Sequence, residues 1–352
     1  MKWFWKYGLA VVSGILIGSS FASCGSQSGT VEAERDLNFS FVSGKENSSN
    51  RLLEVRISGP ILNSSIGGFG GLDAVTYGYE IQRLLDQVSR DQKIKGLLLR
   101  FSTPGGTIVG SNAIYEAIVA YRQATKKPVI AYVEGLSASG GVLSMVGADA
   151  IYAAPGSLIG SIGVIGPRLT YFDKPVAVNE GLLGGGIVTE NGIQQTIISA
   201  GRGKDLGNPF RKPTQEELGI LQQGVNNEYT AFVRHVAQAR KLDEQVIRNQ
   251  MGAMVFDNQT AQKYKLIDGT KTRPQVISEL TKRANLGTDY QLIRVSQSRG
   301  LLSGLLSSVE PVLTPEQARQ SAQQDLCAIV DSRVSLAYYG ELTALCPVKK
   351  GF

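Results

Sequence analysis

Ser139 stands in the run Ser137-Ala138-Ser139-Gly140-Gly141, which ends the apolar stretch 128–133 and precedes the helix-forming residues 142–148. A strand that stops in small residues and restarts as a helix displays one side chain beside several backbone N–H groups. Acyl transfer needs that arrangement: a nucleophile, donors for an oxyanion, and no bulk between them. Ser139 is the candidate nucleophile, and its base has to be sought elsewhere in the chain.

The chain holds one histidine, His235. It lies in a helix-periodic segment beside Arg234, Phe232, Val233 and Val236, the setting of a packing residue rather than of a base at a strand end. Lysine is the remaining ordinary base, and it serves only where desolvation brings its pKa toward roughly 7–8. Lys204 fits best, because Gly201-Arg202-Gly203-Lys204-Asp205 follows the apolar stretch 196–199, read as a short strand. The same residues equally describe an exposed turn with a Lys204–Asp205 ion pair. Pro104-Gly105-Gly106, at the end of the apolar run 97–101, either offers a backbone N–H to a substrate oxygen or is simply a turn.

Other chemistries find less support. The formal charge of +6 arises from 36 basic and 30 acidic residues spread through the chain, without the dense Lys/Arg clusters of a nucleic-acid footprint. Nucleic acid is therefore not an expected partner. One histidine and the widely separated Cys24, Cys327 and Cys346 do not make a spaced metal site, so no metal is expected. There is no GxxxxGK[ST], no GxGxxG between strand and helix, and no GxSxG around Ser139.

The positioning elements read as alternating strands and helices. Strands are expected at 52–57, 97–101, 128–133 and 290–295. A helix with Ile81, Leu84, Leu85 and Val88 on one face precedes the second, after a glycine-rich stretch at 66–72. Another, capped by Ser111, carries Ile114, Ala117, Ile118 and Tyr121. Thr214 with Glu217 forms a capping box for a long helix with Leu218, Leu221, Val225, Tyr229, Phe232 and Val236. A second glycine-rich stretch occupies 181–186, and helix and strand pieces are expected within 253–267 and 273–284. The alternation predicts an α/β fold with a mostly parallel sheet and its site at the strand ends.

Residues 1–24 read as a signal or anchor. Lys2 and Lys6 precede the uncharged stretch 8–24, at the short end for spanning a bilayer, and charge asymmetry puts the N-terminus inside and the body outside. Trp3, Trp5 and Tyr7 suit an uncleaved anchor, Phe21-Ala22-Ser23-Cys24 suits a lipoprotein anchored through Cys24, and cleavage after Ala22 is the third fate. Residues 25–50, rich in Ser, Gly and Asn, read as a tether, residues 51–295 as the folded domain, and residues 296–352 as a C-terminal extension.

Several motifs taken together, in order and spacing, resemble the signal peptide peptidase A family over residues 51–295. They are Lys95-Gly96-Leu97-Leu98-Leu99-Arg100 leading to Ser102-Thr103-Pro104-Gly105-Gly106, Ala138-Ser139-Gly140-Gly141, Ala148-Asp149-Ala150-Ile151, Gly160-Ser161-Ile162-Gly163-Val164-Ile165 and Gly203-Lys204-Asp205. The resemblance implies a ClpP/crotonase-like fold of repeated ββα units and a membrane-associated serine endopeptidase that uses a Ser/Lys dyad and no cofactor. It makes Ser139 the nucleophile and Lys204 the general base. The backbone N–H groups of Gly106 and Gly140 become the oxyanion hole, Gly106 in preference to Gly105, and Ser161 orients the lysine. Asp149 matches too and is read as structural.

The resemblance further implies a homo-oligomeric ring or dome in which a neighbouring subunit can supply the lysine. Its cavity would take extended peptides: remnant signal peptides and membrane-derived segments with small or apolar side chains. The implied location is the outer, extracytoplasmic face of a bacterial-type cytoplasmic membrane, in contact with lipid. Val142-Leu143, Ser137 and Asn208-Pro209 depart from the family pattern, the first two bearing on substrate preference. Cys327 and Cys346 either pair in an oxidising space or are buried thiols. Two other classes fit the same fold: an acyl-CoA enzyme of the crotonase type, and a catalytically silent oligomeric membrane scaffold.

Overall fold

A computed structural model describes residues 37–64, 75–175, 177–179, 186–188, 190–296, 327 and 334–340. The expected signal or anchor segment with Cys24, the glycine-rich stretch 66–72, residues 181–185 and Cys346 lie outside the described residues.

The chain opens with β1 (Phe39–Gly44), β2 (Arg51–Ser58), β3 (Ile61–Leu62), β4 (Thr76–Tyr77) and α1 (Gly78–Ser89). Next come β5 (Ile94–Thr103), β6 (Gly105–Thr107), α2 (Ile108–Thr125), β7 (Val129–Ala138), α3 (Gly140–Met145), β8 (Ala150–Ala153) and β9 (Leu158–Gly160). A small hairpin, β10 (Ala177–Asn179) and β11 (Gly186–Val188), precedes α4 (Gln215–Arg240). The chain continues through α5 (Glu244–Val246), a π-helical turn at Ile247–Met251, β12 (Val255–Phe256), α6 (Asn258–Lys263), β13 (Gly269–Thr270), α7 (Arg273–Arg283), β14 (Gln291–Val295) and β15 (Leu336–Tyr338).

The main sheet runs β1-β14-β2-β5-β7-β8-β13, with β9 also pairing to β7 and β12 to β9. Its centre is parallel, from β14 through β13, and β1 and β12 join antiparallel. This is a mixed α/β fold around a parallel sheet. Such strands are buried on both faces, which is why the centre of β5, Leu97–Leu99, is apolar at every position. Leu98 packs with Leu52, Ile130, Val276 and Leu280 in one core cluster. The alternate residues Leu97, Leu99 and Phe101 turn to the opposite face and are also fully buried. A Leu98→Ala cavity at this centre would cost about 2–5 kcal/mol.

A second sheet, β15-β6-β3-β4, lies along the loops that follow β2 and β5. One buried charge group ties the main sheet together: Glu54 is paired with Arg100 at 2.9 Å, Arg273 at 2.5 Å and Arg294 at 2.9 Å. Burial alone would raise the Glu54 pKa, but the bonds and charges of Arg273 and Arg100 override it and hold it below the ordinary value.

Six expectations are corrected. The sheet begins at β1, inside the stretch read as a tether, because Phe39 and Phe41 register against Val295 and Ile293. Residues 105–107 are a strand rather than a loop, and the cap of α2 is Thr107, whose side chain accepts from Gly110 N–H at 3.2 Å. Ser111 sits within that helix and donates to the Thr107 carbonyl at 2.9 Å. Residues 196–199 form no strand: Ile197 is half exposed and Ile198 is 98% exposed, with no strand partner to bury them. The capping box of α4 is present, but its buried apolar residues are only Phe232, Val233, Val236 and Ala237, so Leu218 is left exposed. Finally, β15 brings the C-terminal extension into the second sheet.

Candidate active site

Ser139 occupies the corner between β7 and α3 with φ 53° and ψ −114°, a backbone state that ordinary L residues rarely adopt. Such a state costs on the order of 1–3 kcal/mol and persists only where its surroundings impose it. Here the Ser139 N–H donates to the Gly160 carbonyl at 2.8 Å and the Leu143 N–H donates to the Ser139 carbonyl at 3.0 Å, which fixes the corner to β9 and α3. The Oγ donates to the Gly163 carbonyl at 3.3 Å. Ser139 has 0% exposure.

The glycines around it are required by close approach. A Cβ on Gly140 would lie 2.3 Å from Ser111 Oγ and 3.1 Å from the Gly106 nitrogen, and one on Gly106 would lie 2.0 Å from the Ile61 carbonyl oxygen. Gly105, at φ 90°, brings its α-carbon beside the Gly140 nitrogen, where a Cβ would stand at 2.6 Å. The β6 backbone and the N-terminus of α3 thus lie side by side next to Ser139. The Gly105 N–H is engaged, donating to Thr103 Oγ1 at 3.0 Å, and Thr103 Oγ1 in turn donates to the Gly59 carbonyl at 2.6 Å. Thr103, Ser111 and Gly163 thereby shape the corner; the sequence marked Thr103 and Gly163 only as members of quoted motifs without roles, and Ser111 only as a helix cap.

Ser161 also has positive φ, 57°, and its N–H donates to the Met254 carbonyl at 2.6 Å. It forms part of the wall of a cavity of about 460 Å³ together with Ile165, Val225, Tyr229, Ala253 and Tyr338.

Lys204 is placed differently. It lies exposed in the turn at 201–207, with its N–H donating to the Gly201 carbonyl at 3.2 Å. Among the described residues no hydrogen bond or ion pair joins its ammonium group to Ser139 or Ser161. The alternative of a Lys204–Asp205 pair gives way to another partner, since Asp205 takes two bonds of 2.7 Å from Arg211. Arg211 also grips Glu217 at 2.9 and 2.6 Å, and Glu217 accepts from the Thr214 N–H at 2.8 Å. The Arg211 bonds hold the Asp205 carboxyl below its ordinary range and bring Glu217 down to about 2, while both carboxylates raise Arg211. The Lys204 turn is therefore fastened to the start of α4.

His235 packs edge-on against Tyr115 with ring centroids 4.0 Å apart, and its Nε2 lies 3.1 Å from the Leu143 carbonyl. Burial lowers its pKa, against the opposing pull of that carbonyl and of Glu116. The neutral ring donates to the end of α3 rather than to Ser139. Asp149 has the structural place expected of it: it accepts from Arg122 Nε at 2.7 Å and from the Val129 N–H at 2.8 Å. Among the described residues there is no group of three His, Cys, Asp or Glu able to hold a metal ion, and no helix long and apolar enough to cross a membrane. Cys327 is disulfide-bonded.

Residues 121–287 match peptidase family S49. The chain is 34% identical over 203 residues to MJ0651 of Methanocaldococcus jannaschii, an assigned protease, covering 58% of this chain and 60% of that protein. It is 28% identical over 209 residues to an assigned signal peptide peptidase SppA of Enterococcus faecium, covering 59% and 56%. It is 30% identical over 201 residues to slr0021 of Synechocystis sp., another assigned protease, covering 56% and 66%. The matches thus span roughly three fifths of these relatives' lengths. The match to peptidase family S49 and the similarity to these relatives support a serine peptidase of the signal peptide peptidase A family.

Proposed function

We propose that this chain is a membrane-tethered serine endopeptidase that cleaves extended apolar peptides, remnant signal peptides among them, through a Ser139 acyl-enzyme. The observation that carries this reading is the Ser139 corner, a non-glycine residue at φ 53° beside the adjoining backbones of Gly106 and Gly140. Ser139 Oγ attacks the scissile carbonyl, the N–H groups of Gly106 and Gly140 receive the oxyanion, and a lysine takes the hydroxyl proton and passes it to the leaving amine.

The lysine is Lys204 of a neighbouring copy. An exposed turn does not desolvate an ammonium group, but docking against another subunit would. Between β9 and the first turns of α4 the chain also exposes the apolar side chains Tyr171, Phe172, Ile197, Ile198 and Ile220, which suits such docking. Ser161 orients the incoming lysine from the wall of the cavity beside it. A ClpP/crotonase-like fold of ββα units is supported by the sequence β5-β6-α2, in which a main-sheet strand feeds a second-sheet strand and then a helix. The disulfide at Cys327 is in keeping with an extracytoplasmic body held at the membrane by its N-terminal segment.

Mixing two inactive variants tests the shared site. Ser139→Ala and Lys204→Ala, combined and allowed to exchange subunits, should recover up to about a quarter of wild-type peptidase activity, the fraction of sites drawing both intact residues from different copies. No recovery in a mixture shown to have exchanged subunits would contradict assembly across copies.

A further inference from the structure

Thr103 ends β5 opposite Ser137 of β7 and is completely buried. A hydroxyl enclosed in this way must find partners inside the protein, and this one finds two. It donates to the Gly59 carbonyl at 2.6 Å and accepts from the Gly105 N–H at 3.0 Å. Gly59 is itself held, its N–H donating to the Ser102 carbonyl at 3.0 Å. The Thr103 methyl group meets the helix that follows the nucleophile. A Cβ on Gly141 would lie 2.7 Å from it, so the methyl abuts the backbone of the first turn of α3.

Both contacts bear on the oxyanion donors. Pro104 has no N–H, and the Gly105 N–H is consumed by Thr103, so Gly106 carries the first N–H after β5 that this turn can present to a substrate oxygen. Gly105 stands at φ 90° and is followed by a second glycine, so no side chain of its own sets the direction of the peptide between them. The bond to Thr103 sets it. On the other side, Gly140 directly precedes the Gly141 against which the methyl rests, and a Cβ on Gly105 would come within 2.6 Å of the Gly140 nitrogen. One side chain therefore braces the two backbones where they adjoin.

We propose that Thr103 is the positioning residue of the oxyanion site. Its hydroxyl fixes the Pro104-Gly105-Gly106 turn through the Gly105 N–H, and its methyl group fixes the start of α3 through Gly141, which together set the spacing of the Gly106 and Gly140 donors. This deepens the peptidase reading and rests on it for the reaction in which those donors act. The two halves of the side chain are chemically separable. Valine keeps the shape and discards the hydroxyl, leaving the Gly59 carbonyl and the Gly105 N–H without their buried partner. Serine keeps the hydroxyl and discards the methyl.

The test uses the full-length chain as wild type, Thr103→Val, Thr103→Ser and Thr281→Val, the last removing a buried hydroxyl that donates to the Ser278 carbonyl within α7. Steady-state hydrolysis of a peptide substrate and hydrogen exchange at residues 104–107 and 140–143 are measured on each. Thr103→Val should lower kcat by about 10²-fold with KM near wild type, as for an interaction made in the transition state. Its exchange should rise by about tenfold at 104–107 alone. Thr103→Ser should keep kcat within about tenfold of wild type and raise exchange at 140–143 instead. Thr281→Val should change none of these. Wild-type kcat in Thr103→Val, a rise in KM at unchanged kcat, an equal loss of kcat in Thr281→Val, or exchange unaltered in both segments would each overturn the proposal. The crossed exchange pattern with no hydrolysis and no Ser139 labelling by a fluorophosphonate in any form would sustain the bracing by Thr103 and sink the peptidase reading. Hydrolysis at one rate by all four forms would do the reverse.

Discussion

Gly140 and Ser111 approach so closely that a Cβ on the glycine would meet the serine Oγ at 2.3 Å. Ser111 cannot retreat freely, because its hydroxyl is bonded to the Thr107 carbonyl at 2.9 Å. The expected result of Gly140→Ala is therefore a displaced first turn of α3 and a misdirected N–H at the oxyanion site. Loss of one such donor is worth about 10²–10³ in rate. Peptidase assays should show that loss, and Ser111→Ala combined with Gly140→Ala should recover part of it by removing the clashing oxygen.

His235 is not a base for Ser139, so His235→Asn should keep kcat/KM within about tenfold of wild type. Its effect should appear in stability. Burial sets its folded pKa below the ordinary 6.5, so the unfolded chain binds more protons in that interval. The stability it contributes is full above about 6.5 and is lost as pH falls through the folded value. Thermal unfolding of wild type and His235→Asn between pH 7.5 and 5 should show the wild-type advantage shrinking as pH falls. An advantage that grows toward acid would reverse the assignment of a neutral ring.

Arg211 fastens the Lys204 turn to α4, so Arg211→Gln should loosen residues 201–217 and leave the central sheet alone. Hydrogen exchange should rise in that segment with no change in β5 and β7. The acid limb has a definite sign: Glu217 titrates at about 2 in the fold against an ordinary 4.5, so its share of the fastening is full above 4.5 and disappears as pH falls toward 2. Exchange corrected for intrinsic rate should stay flat from pH 7 to 5 and climb below 4. Peptidase activity of Arg211→Gln should fall while its melting temperature stays near wild type.

Much of this site was legible because burial leaves a mark on composition. β5 and β7 carry the buried apolar runs Leu97–Leu99 and Val129–Val133, and Thr214 with Glu217 announced α4 through a hydrogen-bond pattern written in residue types. The second sheet left no such mark. Gly105-Gly106-Thr107 has the composition of a loop, since its strand character comes from pairing with Ile61 and Ala337 and its glycines from the closeness of those backbones. Ile197-Ile198 shows the converse error, where two β-branched residues suggested a strand that has no partner in one chain. The alternation of Phe39, Phe41 and their polar neighbours was a readable signal for β1, hidden by the Ser- and Asn-rich surroundings. Lys204 was singled out by the lack of a second histidine and by its glycine-rich loop, then again by resemblance, and the single chain leaves it in an exposed turn.

The central claim is a serine nucleophile activated by lysine. It is tested most directly by intact-mass analysis after exhaustive treatment with a fluorophosphonate, with the modified peptide mapped, on wild type, Lys204→Ala and His235→Ala. The account predicts one adduct per chain at Ser139 in wild type and His235→Ala, and labelling slowed by at least about 10²-fold in Lys204→Ala. Labelling of Ser139 at the wild-type rate in Lys204→Ala, or an adduct at any other serine, would contradict it.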